Sequence, residues 1–256
     1  MRVSVIRAIL AAIISITVVS CAGAPEKRNG ESKSDAAGYN MQLGVGYLQK
    51  GNLSVAKEKL ERSYKENPRD PNVNNALALL YERLNEPKKA DMHYREAVRL
   101  APKNPDLSNN YAVYLCRTNR ADEGVKRFVA AATNPLYRKP EAAFTNAGVC
   151  LRNAKKDSEA EQSFLRALQV RPNYAEAAYQ LGDLEFDRGR LKEARARVDG
   201  YLGAFSATPD LLLLGVRITA ALGDRLAAER YARKLRVDFP ESQQARELPD
   251  LQSNPG

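Results

Sequence analysis

A pattern of small and large apolar residues recurs about every 34 positions along most of this chain, and it constrains the fold more than any single residue does. In the first copy the pair Leu43-Gly44 is followed by Tyr47, and the pair returns 34 positions later as Leu77-Ala78. Six copies align, beginning at residues 37, 71, 105, 141, 175 and 209. A self-similar period of this length indicates a solenoid, in which each unit buries its apolar face only against its neighbours.

Within each copy the residue types predict two helices joined by a tight turn. Small residues stand where two helix axes approach closely, at Gly44, Ala78, Ala112, Gly148 and Gly182 and again at Ala56, Ala90, Gly124, Ala160, Ala194 and Ala228. Residues that adopt a left-handed conformation at low cost follow the first helix at Gly51, Asn85, Asn119, Gly189 and Gly223. Prolines at 68, 102, 172 and 240 end the second helix of their copies.

A 34-residue helix–turn–helix unit is typical of the tetratricopeptide repeat (TPR). We therefore predict an all-α fold, a right-handed superhelical solenoid of six TPR repeats at residues 37–70, 71–104, 105–140, 141–174, 175–208 and 209–240. The sixth copy is degenerate, because Gly215 and Val216 stand where the Leu-Gly pair is expected. Residues 241–256 are predicted to be a capping segment and a tail, since a terminal repeat needs a polar outer face.

Residues 1–20 have the composition of an export signal. Arg2 and Arg7 precede an apolar run at 8–19 that is too short for an ordinary membrane span. The stretch Val18-Val19-Ser20-Cys21 resembles a bacterial lipobox, which implies cleavage before Cys21 and a stable anchor of several acyl chains, such as palmitate, on that residue. By analogy with enterobacterial sorting, the following Ala22 favours the outer membrane, facing the periplasm. A plain secretory signal with an incidental cysteine is the alternative.

The segment between this signal and the repeats, residues 21–36, is polar and has few apolar side chains to bury, so we predict a flexible linker behind the lipidated cysteine. The chain carries 40 Lys and Arg against 31 Asp and Glu residues, a net charge of +9, and loss of residues 1–20 with their two arginines leaves +7. We expect no nucleic-acid partner for an exported protein. The excess charge suits anionic lipid headgroups or an acidic partner segment, and an ordinary solvated surface explains it as well.

Two further cysteines occupy nearly equivalent places in consecutive copies. Cys116 and Cys150 lie 34 positions apart, near the ends of the first helices of copies three and four. Equivalent helices of consecutive repeats are neighbours, and an oxidising compartment permits a disulfide bond between the two thiols. Two buried, unpaired thiols are the alternative.

The sequence offers no candidate catalytic group. The chain has one histidine, His93, whose simplest interpretation is a surface histidine in the middle of a helix. Asp183, Glu185 and Asp187 alternate on one predicted helix, where residues two apart do not face each other. GxSxG, HExxH and phosphate-loop motifs are absent, and the cysteines have no CxxC partner for a metal. We predict a protein that is not an enzyme and needs no cofactor or metal.

The positions that line the inner face of a TPR superhelix predict where a partner binds. In the first copy these positions are largely apolar, at Met41, Val45 and Leu48, and Leu79 of the second copy extends the apolar face, with Asn75 beside it. In later copies they turn polar, at Asn109, Arg117, Arg152, Asn153, Glu176 and Asp183. An apolar patch rimmed by polar groups suggests capture of an amphipathic helix or an extended segment. The alternative is that the linker or a neighbouring chain covers Met41 and Val45.

The lipobox, the short polar linker and the six TPRs with a degenerate last copy together resemble the pilotin-type lipoproteins of type IV pilus biogenesis, the PilF/PilW family. The more discriminating segments are NPLYRKPEAAFTNAGVCL at 134–151, which spans a two-residue insertion, and LLLLGVRI at 211–218. The resemblance implies an outer-membrane lipoprotein that binds the pilus secretin through its early repeats. It also implies that secretin insertion and multimerisation, pilus assembly and twitching motility depend on it.

A different class of function fits the same repeats. The alternative is a generic periplasm-facing TPR adaptor lipoprotein that scaffolds another envelope complex, such as outer-membrane protein assembly, peptidoglycan enzymes or polysaccharide export.

Overall fold

The structure, a computed structural model, describes the backbone of residues 29–248 and the side chains of residues 35–248. This part of the chain contains thirteen α-helices and no β-strand: α1 Asn29–Gln49, α2 Leu53–Glu66, α3 Pro71–Arg83, α4 Pro87–Leu100, α5 Pro105–Arg117, α6 Ala121–Ala132, α7 Pro140–Asn153, α8 Asp157–Val170, α9 Ala175–Asp187, α10 Leu191–Ala204, α11 Pro209–Ala221, α12 Arg225–Asp238 and α13 Gln243–Arg246. The first twelve form six consecutive pairs, which confirms the predicted TPR solenoid. Cys21, the expected export signal and the end of the tail lie outside the described residues.

The turns and helix ends follow the predicted chemistry. The turn between the two helices of each repeat contains one residue with positive φ, and five of the six were predicted: Gly51, Asn85, Asn119, Gly189 and Gly223. The sixth is Lys155, with φ 61°, in the fourth repeat. Lysine has no preference for this conformation, so this turn residue could not be predicted from its type. The second helices α2, α4, α8 and α12 each end two residues before the proline that was expected to end them.

Packing between helices explains the alternation of small and large residues. A Cβ atom on Gly44 would lie 2.5 Å from Leu60 Cγ, and one on Gly148 would lie 2.4 Å from Phe164 Cε1. Both large side chains are completely buried. Each first helix also contacts the first helix of the next repeat, and each second helix contacts the first helix that follows it. Buried apolar clusters therefore follow one another along the solenoid from the first repeat to the sixth.

The start of the first repeat differs from the prediction. Helix α1 begins at Asn29 rather than at residue 37, so residues 29–36 of the expected linker are helical. The helix is docked on α2 by the Ser63 hydroxyl, which donates to the Ala37 carbonyl (2.7 Å), and by the Asn40 amide, which donates to Glu66 (3.2 Å). Once docked, a helix without proline extends at low cost, because each added residue contributes one hydrogen bond.

The C-terminal end of the solenoid is closed by a short helix, as expected from the capping segment. Helix α13 packs on α11 and α12, and the Gln244 side chain donates to Asp210 (2.7 Å). The degenerate sixth repeat retains the hairpin. Its Gly215 lies against the Tyr231 ring, where an added Cβ would be 3.0 Å from the ring atoms.

Candidate protein-binding surface

The inner face of the solenoid is formed by the first helices α1, α3, α5, α7, α9 and α11, which lie side by side. Four of the five predicted binding residues lie at its N-terminal end. Met41 and Val45 are half-buried and pack against the core of repeats one to three. Leu79 on α3 is 37% exposed, and the neighbouring Asn75 accepts a hydrogen bond from the Asn110 amide (3.2 Å). The accessible apolar surface is therefore smaller than the sequence suggested.

The assignment of Leu48 to this surface is wrong. Leu48 is only 7% exposed and belongs to the same core cluster as Ala56 and Leu60 of α2. It lies in the last turn of α1, next to the tight turn that brings α2 back against the helix. Its side chain fills the hairpin and is not available to a partner.

An ion pair or a disulfide joins each pair of neighbouring first helices from α3 to α11. The links are Glu82–Arg117 (2.6 Å) between α3 and α5, the Cys116–Cys150 disulfide (2.03 Å) between α5 and α7, Arg152–Asp183 (2.8 Å) between α7 and α9, and Asp183–Arg217 (3.1 Å) between α9 and α11. Arg152 also contacts Asp187. We call this series the inner brace. It fixes the spacing of five helices along the inner face.

The carboxylates of the inner brace are partly shielded from water. The side chains of Glu82 and Asp183 are 20% and 13% exposed, so solvent screens these ion pairs less than it screens an open surface pair. Glu82 also accepts the Tyr94 hydroxyl (3.0 Å); burial and the adjacent carboxylate raise the pKa of Tyr94. A surface held in one geometry before binding loses less entropy when a partner docks.

A second series of ion pairs runs along the second helices. It joins the turn of each repeat to the second helix of its neighbour through Asp91–Arg120 (2.7 Å), Asp122–Lys156 (2.6 Å), Glu161–Arg190 (2.7 Å) and Arg195–Asp224 (3.0 Å). The hydrogen bond from Arg190 lowers the pKa of Glu161. Both series begin at the second repeat. Among residues 35–248 no ion pair or disulfide joins α1 to α3.

The disulfide lies on the inner face, beside a shallow depression. Val113, Asn146 and Val149 line that depression together with the two cysteines, and Arg117 and Asn153 stand at its edge. Gly124 makes room for the sulfur atoms, because a Cβ there would lie 2.5 Å from Cys116 Sγ. This contact explains why copy three has glycine where the other five copies have alanine.

An aromatic cluster around His93, which we call the histidine cluster, lies in the second repeat and contacts the first repeat through Tyr64. The prediction of a surface histidine is wrong, because His93 is 5% exposed. Its ring stacks on Tyr81 of α3 (5.5 Å between centroids) and meets the edge of Tyr64 of α2 (5.3 Å). The amide nitrogen of Asn74 donates to two backbone carbonyls, so its oxygen faces His93 and accepts from Nδ1 (3.0 Å). Burial lowers the pKa of His93, which keeps the ring neutral.

Sequence reasoning found the cysteines and missed the ion pairs of the inner brace. Most of the missed pairs had a detectable signal: the partners in Glu82–Arg117, Arg152–Asp187 and Asp183–Arg217 stand 34 or 35 positions apart, about one repeat step along the chain, whereas Arg152 and Asp183 stand 31 apart. The burial of His93 had no comparable signal. It depends on tyrosines from two other helices, which no short window of sequence contains.

The described residues contain no assembled reactive site. No group of three or more His, Cys, Asp or Glu side chains within them is placed to hold a metal ion. None of the helices in the same region is long and apolar enough to cross a membrane. The features that remain are a braced inner face and the open N-terminal end of the solenoid, both of which suit protein–protein contact.

Comparison with known proteins agrees with this architecture. Residues 41–105 and 158–209 match the tetratricopeptide repeat family, so the class of protein is a TPR scaffold. The type IV pilus assembly protein PilF of Pseudomonas aeruginosa is 28% identical over 246 residues, covering 95% of this chain and 98% of that protein. A solved structure of Pseudomonas aeruginosa PilF superposes with a TM-score of 0.65 at 30% identity, over 84% of this chain and 97% of the other.

A second solved structure extends the comparison. PilW, described as a widely conserved type IV pilus biogenesis factor, superposes with a TM-score of 0.64 at 28% identity, over 82% of this chain and 96% of its own. The chain belongs to the PilF/PilW family of TPR proteins of type IV pilus biogenesis. The TPR architecture and these relatives point to a non-catalytic scaffold.

Proposed function

We propose that this protein is an outer-membrane lipoprotein of the pilotin type, which binds the secretin subunit of the type IV pilus and promotes its outer-membrane localisation and multimerisation. Pilus assembly and twitching motility then depend on it. The observation that carries the proposal is the match to PilF along nearly the whole chain, which includes the degenerate sixth repeat as well as the regular ones. A match of general TPR positions alone would not have this extent.

The anchor in this proposal is Cys21, acylated after removal of residues 1–20. Because α1 begins at Asn29, seven residues, 22–28, separate the cysteine from the first helix. A fully extended chain of that length spans at most about 26 Å. The solenoid therefore works close to the inner surface of the outer membrane, where a newly exported secretin subunit must arrive.

The binding surface in this proposal is the N-terminal part of the inner face. Leu79 is exposed there, with half-buried Met41 and Val45 in the neighbouring helix. The first-repeat junction lacks the brace, so α1 can shift relative to α3 to admit an amphipathic or extended segment between them. The braced helices that follow give that segment a rigid wall. No step of this function requires a catalytic residue or a cofactor.

The proposal is tested first by deletion of the gene, followed by gel analysis of heat-resistant secretin multimers in outer-membrane fractions. We expect multimers to be lost or misplaced and twitching to stop. Intact multimers in the outer membrane would overturn the pilotin assignment in favour of a general envelope adaptor. A Cys21→Ser variant should release the protein from the membrane; continued fractionation with membranes would contradict the anchor.

The binding surface has a matched control within the chain. Leu79 and Leu165 are both 37% exposed, but Leu165 lies on α8, a second helix. We expect Leu79→Glu to weaken secretin binding roughly tenfold or more, as removal of an interface anchor does. Leu165→Glu should have no effect, and circular dichroism should show equal helicity for both. Equal binding by the two variants would place the secretin elsewhere on the protein.

A further inference from the structure

The two ends of the solenoid differ in whether another helix covers the terminal repeat. At the C-terminal end α13 covers the last repeat. At the N-terminal end α1 has no preceding repeat among the described residues, and its outer side carries a stripe formed by Asp35, Tyr39, Gln42, Leu43, Gly46, Tyr47 and Lys50. We call it the α1 stripe. Its members recur every three or four residues, so they share one side of the helix.

Equivalent positions in the other repeats are buried against the preceding repeat. The third residue of each later copy is at most 4% exposed, at Val73, Leu107, Ala143, Ala177 and Leu211. In the first copy that residue is Tyr39, which is 64% exposed. A terminal repeat normally presents polar side chains at this place. The α1 stripe presents a tyrosine, a leucine and a second tyrosine, which favours a covering partner.

The tenth residue of each copy makes the contrast sharper. Large or medium side chains fill it in the later copies, at Leu80, Tyr114, Cys150, Leu184 and Ile218, and all are at most 4% exposed. Tyr114 shows what they face, because its ring contacts Tyr94 of the preceding second helix (5.1 Å). The first copy has Gly46 instead, and a Cβ placed on it would meet nothing within 4 Å. Glycine inside a helix is unfavourable, and nothing within the described part of the chain requires it here.

We propose that the α1 stripe is the contact surface of a symmetric homodimer, in which α1 packs antiparallel against α1 of a second copy. In this arrangement Tyr39 fills the hollow over the partner's Gly46, and the same contact is repeated by symmetry. Leu43 meets its own counterpart beside the two-fold axis. A two-fold axis requires that one surface carry both a projecting group and the space that receives it. The α1 stripe carries both, in Tyr39 and in the space over Gly46.

Charge supports a second copy as the occupant. Asp35 lies four residues before Tyr39, and Lys50 lies four residues after Gly46, so the register that seats the tyrosine also places Asp35 opposite the partner's Lys50. Both side chains are exposed. Two opposite-charge pairs therefore flank the apolar centre. The inference does not depend on the proposed secretin function, since the stripe lies at the end of the solenoid and Leu79 lies on its inner face.

The experiment is sedimentation equilibrium of the full chain in density-matched detergent over a range of protein concentrations. We expect a reversible monomer–dimer equilibrium. Gly46→Leu fills the hollow without an internal clash, so it should weaken dimerisation at least about tenfold while the helix content stays the same or rises. The matched control is Gly200→Leu, because Gly200 also stands inside a helix with nothing within 4 Å of its Cβ position. It should leave the equilibrium unchanged.

Charge reversal then identifies the partner. Asp35→Lys and Lys50→Asp should each weaken the dimer, because each change gives residues 35 and 50 the same charge. The two-fold axis repeats this pair, so the repulsion occurs twice in each dimer. The double variant D35K/K50D should restore it, which happens only if both charges belong to the same interface between copies. A chain that stays monomeric at all concentrations, a dimer insensitive to Gly46→Leu, or a double variant that is not restored would each overturn the proposal.

Discussion

The junctions between repeats two and six are held by different contacts from the junction between repeats one and two. From α3 to α11 every step of the inner face carries an ion pair or the disulfide, and a second series of ion pairs joins the second helices. The first junction has neither: across it Tyr64 of α2 meets the edge of the His93 ring, and the Tyr81 hydroxyl of α3 donates to Glu61 of α2 (3.0 Å). Covalent and ionic links fix the spacing of the helices they join, whereas at the first junction apolar packing and this hydrogen bond set it. Repeat one is therefore the repeat whose position no covalent or ionic link fixes.

The junction without covalent or ionic links is also the one at which the proposed partner contacts lie. Leu79 and the half-buried Met41 and Val45 lie at the first junction, and the α1 stripe lies beyond it. In a solenoid each repeat contacts only its neighbours, so a shift of α1 need not disturb α7 or α9. Changes at the disulfide or at Gly124 should therefore act on the later junctions, and a change at His93 should act on the first.

Removal of the disulfide should have the largest effect. The bond closes a loop of 34 residues, and its loss in a Cys116→Ala/Cys150→Ala variant should lower the free energy of unfolding by roughly 3–4 kcal/mol. Urea unfolding followed by circular dichroism measures the change. The loss should concentrate in repeats three and four, which hydrogen exchange resolves, while repeat one keeps its protection.

Reduction of the unmodified chain provides the control for that experiment. Dithiothreitol should shift the unfolding of the unmodified chain to that of the alanine variant and should leave the variant itself unchanged. Equal stability of the two proteins without reductant would show that the bond does not stabilise this junction.

Gly124→Ala should have the next largest effect. In the other copies an alanine fits at this place, but here a Cβ would lie 2.5 Å from Cys116 Sγ and 3.0 Å from the Ala112 carbonyl oxygen. We expect a loss of about 1–2 kcal/mol from overpacking, larger than the gain in helix propensity. The matched change Gly200→Ala meets nothing within 4 Å and should stabilise the protein slightly.

A double-mutant cycle separates the sulfur contact from other causes. In the Cys116→Ala/Cys150→Ala background the cost of Gly124→Ala should fall to about half or less, because the 2.5 Å contact with sulfur is gone and the Ala112 carbonyl oxygen, at 3.0 Å, is the closest neighbour left. An unchanged cost in that background would mean that Gly124 was selected for a reason other than the disulfide.

The regular parts of this molecule could be predicted from sequence because each depends on a residue and its neighbours one repeat away. The left-handed turn at Gly51 and the small residue at Gly44 have local causes, and the disulfide partners stand one period apart. The failures are contacts that depend on the three-dimensional arrangement. Leu48 has the repeat position of an inner-face residue, yet its side chain is buried between α1 and α2 because it lies in the last turn of α1, where α2 folds back against the helix. His93 is buried by rings from α2 and α3.

Acidification should act on the first junction and spare the braced ones, with the smallest effect of the three. Burial holds the pKa of His93 below its ordinary value of 6.5, so between the two values the unfolded chain binds a proton that the folded chain excludes. The contribution of His93 to stability is therefore complete above about pH 6.5 and declines as the pH falls below it. Hydrogen exchange should show earlier opening of repeats one and two at pH 5.5 than at pH 7, with repeats four and five little changed.

The chain has one histidine, so NMR titration of its ring protons reads His93 without ambiguity. We expect a midpoint below 6.5 in the folded protein. Glu96 and Lys89 on the same helix act on the ring in opposite directions, the carboxylate raising and the ammonium lowering its pKa, and neither outweighs burial. A His93→Gln variant keeps a donor for Asn74 and removes the titrating group, so its first junction should open equally at both pH values. If the variant retains the pH dependence, the carboxylates of repeats one and two must cause it, and the histidine cluster would then be a packing feature alone.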